Sequence, residues 1–173
     1  MGDLPNSRMS VDSSMRIASL RYFDPHGAFA AALPPLGLAI PPPLRCVVAG
    51  SAAGSIDILA WRSPTETVWI CDSAARFDGL RRALAATDDG CLVDQTHGRR
   101  LIRLRGAAAR SLAHLGSGFA EIGIGAVRIG RMADIAVLAC RPDAEEWLLV
   151  LDRLYLEHFV GCLKTVTPLE MNI

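Results

Sequence analysis

The sequence predicts an α+β fold, a mostly antiparallel sheet with packed helices. Three observations support this. The apolar, β-branched stretches come in closely spaced pairs that read as hairpins, as in Ile56–Trp61 followed by Thr67–Cys71. Helical patterns fall between groups of strands instead of alternating with single strands, which argues against a doubly wound parallel sheet. Of the 173 residues, 51% are hydrophobic, enough for one domain with a sizeable core.

Residues 1–14 are polar, contain Pro5 and have no periodicity, so they read as a mobile tail ahead of a single domain over 15–173. Met15–Phe23 reads as a first strand, and Pro25–Leu33 as a short alanine-rich helix stopped by Pro34-Pro35. Pro41-Pro42-Pro43 is a stiff spacer, and the main fold is expected to begin near Arg45. In the first hairpin Arg62–Glu66 forms the loop. Asp72-Ser73 offers an N-cap, and the helix from Ala74 to about Ala86 puts Phe77, Leu80 and Leu84 on one face.

Cys91–Asp94 is the next strand. A polar turn follows, then a strand with Ile102 and Leu104 on one side and Arg103 and Arg105 on the other. Ala107–Leu115 is helical, with Ala108, Leu112 and Leu115 inward and Arg110 and His114 outward. Five glycines between Gly116 and Gly130 mark turns. Arg128–Cys140 returns to strand, and Glu145-Glu146 reads as the entry to a strand ending at Leu151. Asp152 caps a last helix, Arg153 to about Leu163, with two apolar stripes: Tyr155, Phe159 and Cys162, and Leu156, Val160 and Leu163. A helix apolar on two sides needs cover on two sides, from its own core or from another chain.

Lysine plus arginine equals aspartate plus glutamate, 18 each, so no basic excess points to nucleic acid. The five cysteines are odd in number and widely spaced, as in a cytoplasmic protein with reduced thiols. No uncharged apolar run reaches the roughly 18 residues of a membrane span, and no secretory signal is evident. The four histidines lack metal-ligand spacing, so no metal is expected. Gly123-Ile124-Gly125 does not complete a dinucleotide fingerprint.

The Asp94–Arg100 turn holds the candidate site residues Asp94, His97, Arg99 and Arg100. A carboxylate beside a histidine suits acid–base chemistry, and paired arginines suit an anion clamp. The alternative is structural: Asp94 and Thr96 satisfy turn amides, Gly98 supplies a positive φ, and the arginines are solvated or paired. Arg99, Arg100, Arg103, Arg105 and Arg110 form the one strongly basic patch, either a solvated face or a rim for an acidic partner. Trp61 and Trp69 on facing strands are either core or, if exposed beside Arg62, a docking pair.

Three segments carry a resemblance. Trp61-Arg62-Ser63-Pro64-Thr65-Glu66 resembles the tryptophan-led hairpin of folate-binding domains like that of the glycine-cleavage T protein. Val93–Arg99 resembles the Asp-x-Ser-type turn that follows it there, and Leu104–Leu112 resembles the Gly-x-x-Ala strand-to-helix junction. The likeness covers about Ser55–Lys164 and is nearest to the gamma subunits of heterotetrameric sarcosine oxidases. Thr65 stands where an acid is usual, Thr67 where tryptophan is common and Thr96 where serine is usual. The Asn-rich segment bearing the T protein's catalytic aspartate is not found. The resemblance therefore implies a noncatalytic gamma-type subunit that packs against alpha-, beta- and delta-type partners. FAD, FMN, NAD and tetrahydrofolate would be held by the other subunits and none by this chain alone. The alternative it leaves is a free-standing tetrahydrofolate-binding, aminomethyltransferase-like protein, in which Asp94 orients a pterin or amine and Arg99 or Arg100 meets a glutamate tail.

Overall fold

The computed structural model describes residues 8–49, 56–106, 109–166 and 170–172, with the backbone alone for 109–111 and 170–172. The fold is α+β, built on a five-stranded and a six-stranded sheet, each with its own helices. Among the described residues all strand pairs are antiparallel except one. The chain divides into two compact units, 14–97 and 1–13 with 98–173.

In the 14–97 unit, β2 (Arg16–Tyr22), β3 (Cys46–Val48), β4 (Asp57–Ser63), β5 (Glu66–Cys71) and β6 (Gly90–Asp94) lie in the order β3-β4-β5-β2-β6. The sheet of this unit thus starts at Arg16 and not near Arg45, because β2 sits between β5 and β6. Pro34-Pro35 do not simply stop α1 (Ala28–Ala31); they open a 3-10 turn, where a missing N–H costs nothing. The β4–β5 connection is tighter than the expected long loop: only Pro64 and Thr65 separate the strands, with a bulge between Trp61 and Ser63. On one sheet face Ala18, Leu20, Leu59 and Trp69 pack against Phe77, Leu80 and Leu84 of α2 (Ala74–Leu84) and Phe29 of α1. Each such large side chain contributes about 1.5–3 kcal/mol on burial. Ser73 caps α2 by accepting from the Arg76 N–H at 3.2 Å. Gly90 is required by close approach: a Cβ there would lie 2.4 Å from the Phe29 ring and 2.5 Å from the Arg21 carbonyl oxygen.

In the other unit, β1 (Arg8–Asp12), β7 (Arg99–Arg105), β8 (Ala126–Met132), β9 (Ile135–Arg141), β10 (Glu146–Asp152) and β11 (Glu170–Asn172) run in the order β11-β1-β7-β10-β9-β8. Residues 8–12 are therefore strand and not tail. Met9 and Val11 lie opposite Leu104 and Ile102, and Met9 is buried in the core. The same core holds Leu112 of α3 (Ala109–Leu115) and Phe159 and Leu163 of α4 (Leu156–Val166). Asp152 caps the turn leading into α4, its carboxylate accepting from the Leu154 N–H at 3.0 Å. Ala107 and Ala108, expected at the start of α3, lie outside the described residues, as does the side chain of Arg110.

The strand expected over Arg128–Cys140 is instead a hairpin, broken at Ala133 and Asp134. Both take positive φ, 47° and 62°. A two-residue turn with this geometry favours Asn-Gly, because a Cβ strains the left-handed region. Replacing Ala133-Asp134 with Asn-Gly should therefore raise stability by about 1 kcal/mol. A higher midpoint in urea unfolding at unchanged slope checks this.

Candidate functional site

Asp94 ends β6, and its local partners account for the turn. Its Oδ1 accepts from the Thr96 N–H at 2.9 Å. Thr96 Oγ1 accepts from the Ile17 N–H at 3.2 Å, and the Gln95 N–H donates to the Ile17 carbonyl at 2.8 Å. The turn is thus stitched to β2 by main-chain and threonine bonds. Partial burial pushes the Asp94 carboxyl up, but the Thr96 hydroxyl and amide, Arg16 and His97 together hold it below the usual carboxylate range. It is therefore a fixed anion at neutral pH, unsuited to general-acid work.

Asp94 lines a small polar hollow of about 250 Å³ with Arg16, Phe77, Asp78 and Arg81. Asp78 and Arg81 pair with each other at 2.7 Å. His97 is exposed and acts on Asp94 through its charge. The boundary between the units falls after His97, so Asp94 and His97 belong to one unit and Arg99 and Arg100 to the other. Arg99 and Arg100 open β7 opposite Asp152 and Leu151, and an Arg100 guanidinium N–H donates to the Arg99 carbonyl at 2.7 Å. Gly98 does not take a positive φ; the left-handed glycine near the junction is Gly106, at 70°. The turn's structural reading thus holds for Asp94, while Thr96 satisfies an amide of β2 instead of the turn and Gly98 fails it.

Two members of the expected basic patch, Arg103 and Arg105, pair with acids of their own sheet, and the Arg110 side chain lies outside the described residues. Arg103 lies 3.6 Å from Asp12 and 3.4 Å from Glu146, and Arg105 meets Glu146 at 2.8 Å. The tryptophan pair separates as well. Trp69 is fully buried and stacked on Phe77 at 5.5 Å between centroids, while Trp61 is half-buried. Cys71, which ends β5 and belongs to the same core, has its thiol pushed up to about 12 by burial and then by Asp57, which makes it an inert packing residue.

Two features were not foreseen. Asp57 is a fully buried carboxylate: Trp69 Nε1 donates to it at 2.5 Å, and Arg76 Nε donates to its other oxygen. Phe23 is 84% exposed at the mouth of a groove of about 660 Å³, beside Arg21, Glu66, Asp88 and Cys91. Glu66 is held there by the Ser19 hydroxyl and by Arg21 and Arg62. Among the described residues no group of three or more His, Cys, Asp or Glu side chains could hold a metal ion. No helix among them is long and apolar enough to cross a membrane.

No protein-family model and no curated protein matches this chain. Solved structures do. The chain is similar to one chain of the heterotetrameric sarcosine oxidase from Corynebacterium sp. U-96, solved in complex with pyrrole 2-carboxylate. The TM-score is 0.77 at 24% identity, over 92% of this chain and 83% of that one. It is also similar to the glycine cleavage system aminomethyltransferase T from Bartonella henselae, with a TM-score of 0.72 at 15% identity. That match takes in 96% of this chain but 47% of the aminomethyltransferase, so the chain spans about half its length. At these identities the shared property is the fold.

Proposed function

We propose that the chain is a noncatalytic gamma-type subunit of a cytoplasmic, multi-subunit, flavin-dependent oxidase or demethylase. Sarcosine or a related N-methyl amine is its substrate, and the released one-carbon unit passes to tetrahydrofolate. Alpha-, beta- and delta-type chains are its partners, and FAD, FMN, NAD and tetrahydrofolate are held by them. The observation that carries this reading is the extent of the fold match. The likeness takes in 83% of a sarcosine oxidase chain but only 47% of the aminomethyltransferase.

The Asp94 turn supports the same reading. Its carboxylate is occupied by its own backbone and is held ionised. The surface adds to it: Leu154 and Tyr155, at the entry to α4, are 86% and 51% exposed although Phe159 and Leu163 of the same helix are buried. Solvent-facing apolar groups at a helix start suit a subunit contact.

Isolation of the tagged chain from its source tests the proposal. The expected result is co-purification with larger chains carrying flavin absorbance, in a particle that oxidises sarcosine or another N-methyl amine. A chain that emerges alone, as a stable monomer binding tetrahydrofolate at micromolar levels by calorimetry, would instead establish the aminomethyltransferase-like alternative.

A further inference from the structure

The edge of the five-stranded sheet at β6 is open, and the pairing phase shows which groups it offers. The Gln95 N–H donates to the Ile17 carbonyl at 2.8 Å, and the Phe23 N–H donates to the Asp89 carbonyl at 2.9 Å. These bonds bracket the β2–β6 ladder and join odd-numbered residues, in one continuous register. In an antiparallel pair, residues that bond to the neighbour alternate with residues that face away. Cys91 and Val93 therefore bond to β2, and the N–H and C=O groups of Gly90, Leu92 and Asp94 point outward. Among the described residues no strand flanks β6 on that side, and Cys91, Val93 and Asp94 are exposed.

Two further observations belong to the same edge. The groove of about 660 Å³ opens beside it, with Cys91, Tyr22 and the 84% exposed ring of Phe23 in its wall. Acids bracket the strand, Asp88 and Asp89 before it and Asp94 at its end; Asp89 also accepts from the Phe29 N–H at 2.8 Å and Asp94 from the Thr96 N–H at 2.9 Å, and both keep their charge for a partner. Among the described residues lining the groove, Arg21 is the one cation, and it is already beside Glu66 at 3.7 Å.

The geometry points to a strand-addition site: β6 accepts an extended peptide segment of a partner protein, with an apolar residue for the groove and a cation at each end. Main-chain bonds to Leu92 and Asp94 supply the affinity, and the groove and acids select the sequence. Charge decides against a second copy of β6 as the occupant. Antiparallel self-pairing centred on Leu92 would bring Asp94 of one copy beside Asp88 and Asp89 of the other, and like charges across a pair destabilise. This inference does not depend on the gamma-type reading, because it uses only the edge, the groove and the acids.

The probe is an acetylated, amidated, fluorescein-labelled hexapeptide, Lys-Val-Thr-Val-Thr-Lys, titrated into the full-length chain by fluorescence anisotropy. Saturable binding is expected, together with slowed amide exchange at Leu92 and Asp94. N-methylation of the peptide's edge-facing amides, or replacement of both lysines with glutamate, should each weaken binding by roughly tenfold or more. Leu92→Pro should do the same by removing an outward N–H. The modified peptides keep the test decisive if that variant does not fold, since they leave the protein untouched. Absence of saturable binding up to about 1 mM overturns the proposal, as does equal binding of the N-methylated peptide. Concentration-dependent protection of Leu92 without peptide would assign the edge to a second copy instead, and overturn it too.

Discussion

Asp57→Ala is expected to cost about 3–5 kcal/mol, enough to unfold a domain of ordinary stability. Asp57 lies on β4 with no exposed surface, and three polar contacts depend on the site. Trp69 Nε1 donates to one carboxylate oxygen at 2.5 Å, Arg76 Nε to the other, and an Arg76 NH2 group to the Leu36 carbonyl at 2.6 Å. Truncation leaves a buried indole N–H without its acceptor and a largely buried guanidinium without its counter-charge. Those two losses dominate, since an unpaired buried ion costs far more than a paired one returns. Arg76→Met should be comparably damaging, because it strands the carboxylate with only the indole N–H. The double replacement should be less destabilising than the two single ones added together, which marks the pair as coupled. Urea unfolding of the four proteins checks this; a loss below about 1 kcal/mol for Asp57→Ala would contradict the assigned network.

Much of the fold was legible because its elements are locally emphatic. Ile58, Leu59, Val68 and Ile70 cluster at strand spacing, and the Phe77, Leu80 and Leu84 spacing defines the inner face of α2. Both patterns bury as expected. The misses have physical causes. β1 presents only two apolar residues, Met9 and Val11, too few for a period-two signal. It becomes a strand because β7 offers an edge. The turn at Ala133-Asp134 carries no glycine, so nothing local announces it; the surrounding hairpin imposes the strained φ values. Pairs distant in sequence were the hardest to see. Asp57 stands nineteen residues before Arg76, and its burial follows from β4 lying beneath α2. At Asp94 two local readings compete. A neighbouring histidine suggested acid–base chemistry, while Thr96, the alternative weighed beside it, is what holds the carboxylate. Adjacent charges along a chain suggest chemistry more readily than they establish it, because local hydrogen bonds claim short polar side chains first.

The second large effect lies in the other sheet. Glu146 opens β10, is 8% exposed, and receives both Arg105, at 2.8 and 3.0 Å, and Arg103, at 3.4 Å. Glu146→Ala removes the shared acceptor. Arg103 then keeps only Asp12 at 3.6 Å, and its Nε is already buried without a hydrogen bond. Arg105 suffers less, because its side chain is 59% exposed and water can replace the carboxylate. The expected loss is therefore about 2–3 kcal/mol, below that at Asp57, where neither partner is so open to solvent. Glu146→Gln separates charge from geometry: an amide oxygen can still accept from Arg105, so roughly half the stability should return. If the alanine and glutamine variants unfold at the same urea concentration, charge alone holds this corner. If neither differs from the parent, the Arg103–Glu146–Arg105 cluster is a surface pairing with no share in the stability of the sheet.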